Sequence, residues 1–183
     1  MSHSVYFTFH DVIEAPSVNR VIDFTNRALG EQNPQKICYL ISSGGGSVDS
    51  GVTLYNYLRA LPVTVVMHNV GSVDSIANAV FLAGQERYAM PASAFLLHGV
   101  MWNFHEKSTL SYPQMQEIMS RFDAAEQLIA RIIGENTKLT TEEVRALFRQ
   151  GESKTPQFAK EKGMIHDIRE VKIEAGSPII AIK

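Results

Sequence analysis

The sequence offers almost nothing with which to brace a fold covalently or through a metal. Cys38 is its only cysteine, so no intrachain disulfide can form and nothing argues for an oxidising compartment. Flanked by Ile37 and Tyr39, the thiol reads as a core group. His10, His68, His105 and His166 are scattered without an HExxH or Cys/His ligand spacing, so neither a metal nor another cofactor is expected. The opening Met1-Ser2-His3-Ser4-Val5 has no basic region and no sustained apolar stretch. No run approaches the roughly 18 apolar residues of a membrane span, so a soluble, cytoplasmic protein that does not engage a membrane is expected. Neither sign of charge dominates: 17 Lys and Arg face 19 Asp and Glu, for a net charge of −2. That balance leaves no electrostatic footprint for nucleic acid or an anionic lipid surface.

Apolar residues, by contrast, are plentiful. The chain has 183 residues, 45% of them hydrophobic. A single domain over residues 1–183 is expected, burying about two-thirds to three-quarters of its unfolded surface. Residues 5–9 read as a first strand. Ser17 can cap a helix whose apolar positions Val18, Val21, Ile22, Phe24 and Ala28 recur every three or four residues before Gly30. Residues 37–41 are a near-continuous apolar run, the pattern of a strand covered on both faces in a parallel sheet.

Ser42-Ser43-Gly44-Gly45-Gly46-Ser47 breaks that run, and a helix over residues 48–61 follows, closed by Pro62. Residues 63–67 form the next buried strand. Gly71 to Gly84 then leaves the strand and enters a short apolar helix, with Ser75 at the joint. Right-handed crossovers place both turns on one edge of a parallel sheet, the edge where ligands gather in open α/β folds. Residues 87–90 and 94–98 read as further strands, which puts His98 on that same edge.

Residues 101–110 mix Trp102, Phe104, His105, Glu106 and Lys107 without a period and read as an irregular or edge-strand insertion. A long helix is predicted from Pro113 to about Ile133, with Gly134 past its end. Thr140 with Glu143 is a capping-box pattern, and Thr155-Pro156 opens a short helix that Gly163 can end. Residues 164–168 read as a turn into a strand. The tail from Gly176, apolar at Ile179, Ile180 and Ile182, suits an edge strand or a contact with a partner subunit. There is no repeat beyond the two strand–turn–helix units.

Acyl transfer needs a nucleophile, a base within reach of it, and two donors aimed at the oxyanion of the tetrahedral intermediate. Ser75, at a helix start on the strand edge, is the candidate nucleophile, where the positive end of the helix dipole favours a developing alkoxide. His98 has the pKa range of a general base near neutrality. The Gly44-Gly45-Gly46 turn lets backbone approach a substrate without a Cβ clash, so the Gly46 and Ile76 N–H groups are the candidate oxyanion donors. Taken singly, Ser75 is more often a helix cap and His98 a satisfied core histidine. The glycine turn lacks the Lys of a P-loop and the spacing of a dinucleotide fingerprint.

Together these residues resemble a known family. Ile41-Ser42-Ser43-Gly44-Gly45-Gly46-Ser47-Val48 is similar to the Asn-Ser-Pro-Gly-Gly-Ser-Val signature of the proteolytic subunit of the Clp protease. Gly71 to Gly84 matches that family's nucleophile helix in length and in small, apolar character, and Leu97-His98 matches the strand end carrying its histidine. The resemblance runs from about Val5 to Ile168. It implies an α/β fold, the ββα spiral shared with crotonases, with a mostly parallel sheet and a protruding handle helix in residues 100–135 by which rings of subunits stack. It implies a homo-oligomeric serine endopeptidase acting on peptides or unfolded proteins, with Ser75 as nucleophile, His98 as base, and Gly45, Ser47, Val48 and Val100 contacting substrate.

The sequence also departs from that pattern. The family's third triad member, an aspartate before the closing helix, falls at Gly151, which leaves the adjacent Glu152 as the candidate to orient His98. Asp74 puts a charge beside Ser75, Gly44 replaces a proline, and Val100-Met101-Trp102-Asn103-Phe104 replaces a glycine-rich substrate-pairing segment. The chain begins almost at its first strand, without the axial loops that meet an AAA+ ATPase ring, which weighs against such a partner. A catalytically weak scaffold subunit of the same fold, or a crotonase-like enzyme using the same donors on an acyl thioester, are the alternatives.

Overall fold

The computed structural model describes residues 4–101 and 109–182. Its organising strand is β2 (Lys36–Ser43), which grows from the apolar run of residues 37–41 and pairs in parallel with β1 (Ser4–His10) and β3 (Thr64–Asp74). Ile37 stands opposite Val5 and Val65, and Tyr39 opposite Phe7 and Met67. Because side chains alternate along a strand, Ile37, Tyr39 and Ile41 enter the main core, while Cys38 and Leu40 join a smaller cluster with Tyr6 and Val66 on the other face. Both faces are covered, as the unbroken run requires.

The mixed α/β sheet runs β6 (Ser153–Lys154), β5 (Ala94–Leu96), β3, β2, β1, β8 (Ile179–Ile182), and β4 (Glu86–Ala89) joins β3 to β7 (Asp167–Ile168). Among the described residues, every pairing of these strands is parallel except β5 with β6. The described residues form six helices: α1 (Ala15–Gln32), α2 (Val48–Arg59), α3 (Ala77–Phe81), α4 (Tyr112–Asn136), α5 (Thr141–Gln150) and α6 (Pro156–Glu161).

Strand β3 is the element that positions the site. It runs seven residues past the expected end at Met67, because its two halves serve two neighbours: residues 66–69 pair with β4, and residues 72–74 with β5. The splice is polar. Fully buried Asn69 donates from Nδ2 to the Ala94 carbonyl at 2.7 Å and accepts the Gly71 N–H at 3.0 Å. Ser42 Oγ accepts the Ser72 N–H at 3.2 Å, and a Cβ at Gly71 would lie 2.6 Å from that hydroxyl. Gly71 thus sits inside the strand, where the sequence suggests a turn.

Four other boundaries differ from expectation. Helix α1 starts at Ala15, before Ser17, because Pro16 suits the first turn and Ser17 Oγ reaches back to accept the Glu14 N–H at 3.0 Å. Helix α2 stops at Arg59, short of Leu61. Strand β5 ends at Leu96, which leaves His98 just beyond the strand. Gly134 lies within α4, where the Leu139 carbonyl passes 3.4 Å from the place of its missing Cβ. The capping box at Thr140 and Glu143, the Thr155 cap, the positive-φ Gly163 and the edge strand at 179–182 are as read from the sequence.

Helix α4 buries Ile129, Ala130, Ile132 and Ile133 near its C-terminal end, while Tyr112, Met115 and Met119 in its first turns are exposed. Trp102, Phe104, His105, Glu106 and Lys107 of the irregular insertion lie outside the described residues.

Candidate active site

Ser75 follows the last residue of β3 and precedes α3, with φ +56, one of two positive-φ residues other than glycine among those described. A side chain in the left-handed region costs of order 1–3 kcal/mol and persists only where the surroundings over-determine it. Here they do. The Ser75 N–H donates to the Leu96 carbonyl at 2.8 Å, and the Ser75 carbonyl accepts the Asn78 N–H at 3.1 Å. Buried Asn78 adds Nδ2 donations to both carbonyls, 3.1 Å to Ser75 and 2.9 Å to Leu96. Every residue of α3 is buried, and Phe81 packs edge-to-face on Phe95 with ring centroids 5.5 Å apart. The N-cap of α3 is Ile76, so the Ser75 hydroxyl is not occupied as the helix cap.

The glycine turn lies directly over this serine. A Cβ at Gly45 would stand 2.7 Å from Ser75 Cβ and 2.9 Å from the Asp74 carbonyl, and one at Gly46 would stand 2.3 Å from the Ile13 carbonyl oxygen. Both residues have positive φ, +91 and +150. The turn is held from outside by a parallel bridge to Ile13, whose N–H donates to Gly45 at 2.7 Å and whose carbonyl accepts the Ser47 N–H at 2.8 Å. Those bonds use the groups flanking Gly46, so its own N–H faces away from Ile13. The Ile76 N–H, at the first turn of α3, has no acceptor within its own helix.

His98 Nδ1 lies 2.8 Å from the Gly99 carbonyl. A carbonyl oxygen only accepts, so Nδ1 carries the hydrogen and Nε2 of the neutral ring holds the lone pair, the tautomer a general base requires. Ser75, His98, Gly45, Gly46, Ser47, Val48 and Val100 all line one cavity of about 840 Å³, closed on one side by Phe122, Ala125, Leu128 and Ile129 of α4. Ser47 caps α2 by accepting the Ser50 N–H at 3.4 Å. The Asp74 carboxylate accepts from the Ser72 hydroxyl on its own strand. Glu152 is not part of this lining: its carboxylate accepts from Lys154 Nζ at 2.9 Å, and its side chain is 68% exposed.

Three residues that sequence reasoning passed over support the site. Asn78 is a polar residue in an otherwise apolar helix, a signal that was available. Gly51 falls in mid-helix, where glycine is unfavourable by about 1 kcal/mol against alanine. A Cβ there would lie 2.2 Å from Ile76 Cγ1, so the glycine lets α2 pack on the residue next to Ser75. Glu126 of α4 accepts the Val100 N–H at 3.3 Å beside His98; nothing in its spacing marks it.

A second cavity, about 540 Å³, lies over the sheet's other face between Tyr6, Cys38, His68 and Arg169. Burial pushes the Cys38 thiol up to about 11, which keeps it protonated and removes it as a nucleophile. No cluster among the described residues could hold a metal ion, and no described helix is long and apolar enough to cross a membrane. Residues 9–172 match the family model described as Clp protease.

Proposed function

The chain belongs to the Clp protease family, and on that premise we propose that it is a serine-type endopeptidase that cleaves peptides or unfolded proteins through an acyl-enzyme inside an oligomeric chamber. The observation that carries this reading is the left-handed turn at Ser75, which brings the serine, His98 and the glycine turn to one cavity. His98 Nε2 takes the hydroxyl proton as Ser75 Oγ attacks the scissile carbonyl. The Gly46 and Ile76 N–H groups hold the oxyanion, and the imidazolium passes its proton to the leaving amine. Water, deprotonated by the same imidazole, then releases the acyl group from Ser75.

Gly45, Ser47, Val48 and Val100 are the residues proposed to contact substrate on either side of the serine. The exposed Tyr112, Met115 and Met119 of α4 border a shallow groove on the helix, which supports α4 as the surface through which rings stack. A catalytically weak scaffold is the second reading, favoured by the engagement of Glu152 with Lys154 instead of the cavity.

Hydrolysis of short fluorogenic peptides by the assembled protein tests the proposal. Turnover that falls on the order of 10⁴- to 10⁶-fold in Ser75→Ala and His98→Ala, with assembly intact by light scattering, supports the endopeptidase. Equal residual turnover in wild type and both variants supports the scaffold.

A further inference from the structure

The position that resembles the third triad member is Gly151, a left-handed helix terminus with φ +59 whose N–H donates to Leu147 at 3.1 Å. It has no side chain to offer His98. A carboxylate does reach the histidine by another route, through one peptide group. His98 Nδ1–H donates to the Gly99 carbonyl at 2.8 Å, and the N–H of that same peptide, carried by Val100, donates to Glu126 Oε1 at 3.3 Å. The peptide is trans, so its two polar groups point in opposite directions and the imidazole and carboxylate lie at either end of one hydrogen-bonded line.

We propose that Glu126 is the positioning residue for His98, acting through the Gly99–Val100 peptide in place of a directly bonded carboxylate. This rests on the peptidase reading of Ser75 and His98. A negative charge on the N–H side of an amide polarises it, which makes its carbonyl a stronger acceptor for Nδ1–H. The ring is thereby held with Nε2 toward the cavity, and the imidazolium formed during attack is stabilised. No proton moves along the line: Nδ1 keeps its hydrogen throughout, and Val100 keeps its own.

Two further observations fit. Glu126 stands behind the backbone and does not line the cavity, so it acts without touching substrate. Gly99 is also the residue that admits it: a Cβ at position 99 would lie 2.6 Å from Glu126 Oε1. Among the described residues, the other charged groups that line the cavity with His98 are Glu14 before α1, Asp49 on α2 and Arg121 on α4, the last paired with Glu117 at 2.7 Å. None of them contacts the Gly99–Val100 peptide in the way Glu126 does.

The test uses the assembled protein, Glu126→Gln, which keeps the acceptor and removes the charge, and Gly99→Ala, which displaces the carboxylate. Histidine C2-hydrogen exchange read by mass spectrometry gives the His98 pKa whether or not the protein turns over. The rate of Ser75 modification by a fluorophosphonate is followed from pH 5 to 9. Both variants are expected to move the midpoint of His98 exchange and the acidic limb of the labelling profile to lower pH together, and to slow labelling at pH 7 roughly tenfold. An unchanged His98 pKa in both variants overturns the proposal, even if melting temperature falls. A His98 shift in the variants, with a wild type that does not label, upholds the positioning role of Glu126 and overturns the peptidase reading instead.

Discussion

Gly45 and Ser75 occupy one another's space: the place of a Cβ at residue 45 is 2.7 Å from the Cβ of the serine. The turn therefore covers the serine because it lacks a side chain, and the serine faces the cavity because its own backbone is left-handed. The bonds from Ile13, Leu96 and Asn78 keep both in place.

Substitution in the turn follows from that contact. Gly46→Ala places a methyl 2.3 Å from the Ile13 carbonyl at a backbone angle of +150. Such conformations cost about 1–3 kcal/mol for other residues, so urea unfolding should show a loss of about that size. The displaced N–H should lower turnover by about 10²- to 10³-fold, more than the stability change accounts for.

Asn78 is the buried clip between the two carbonyls that flank the site. Asn78→Ala removes two donated hydrogen bonds and is expected to destabilise by about 1–3 kcal/mol. Asn78→Asp should be worse, since a carboxylate only accepts and would face the Ser75 and Leu96 oxygens. Paired thermal melts of the two variants check the order.

His68 sets an acid limit to stability. It is 5% exposed, burial lowers its pKa, and its Nε2 lies 3.0 Å from the Arg169 carbonyl. In the unfolded chain it titrates at about 6.5; in the folded chain it resists the proton. Its contribution is therefore whole above about pH 6.5 and is lost as the pH falls toward and through the lowered folded value. Chemical unfolding from pH 8 to pH 5 should show wild type losing more stability than His68→Gln, whose amide can still donate to the Arg169 carbonyl.

Much of this arrangement was legible in the residues. The apolar run at 37–41, the capping box at Thr140 and Glu143, the helix start at Thr155-Pro156 and the glycine turn are local signals with local causes, and they form the elements expected of them. The extension of β3 to Asp74 was not legible, because it depends on pairing with Ala94 and Leu96 some twenty residues onward. Gly134 looks like a helix stop, yet α4 runs on through it to Asn136. The same limit applies at the site. Ser75, His98 and the turn lie at strand ends that hydropathy locates, whereas Glu126 meets His98 through a backbone peptide, and no spacing rule describes that contact.

Whether Ser75 is the nucleophile is read from the mass of the protein and its peptides after treatment with a fluorophosphonate at pH 7.5. One adduct per chain is expected, on the peptide containing Ser75, absent in Ser75→Ala and strongly slowed in His98→Ala. A folded, assembled wild type that takes up no adduct, or an adduct that survives in Ser75→Ala, contradicts it.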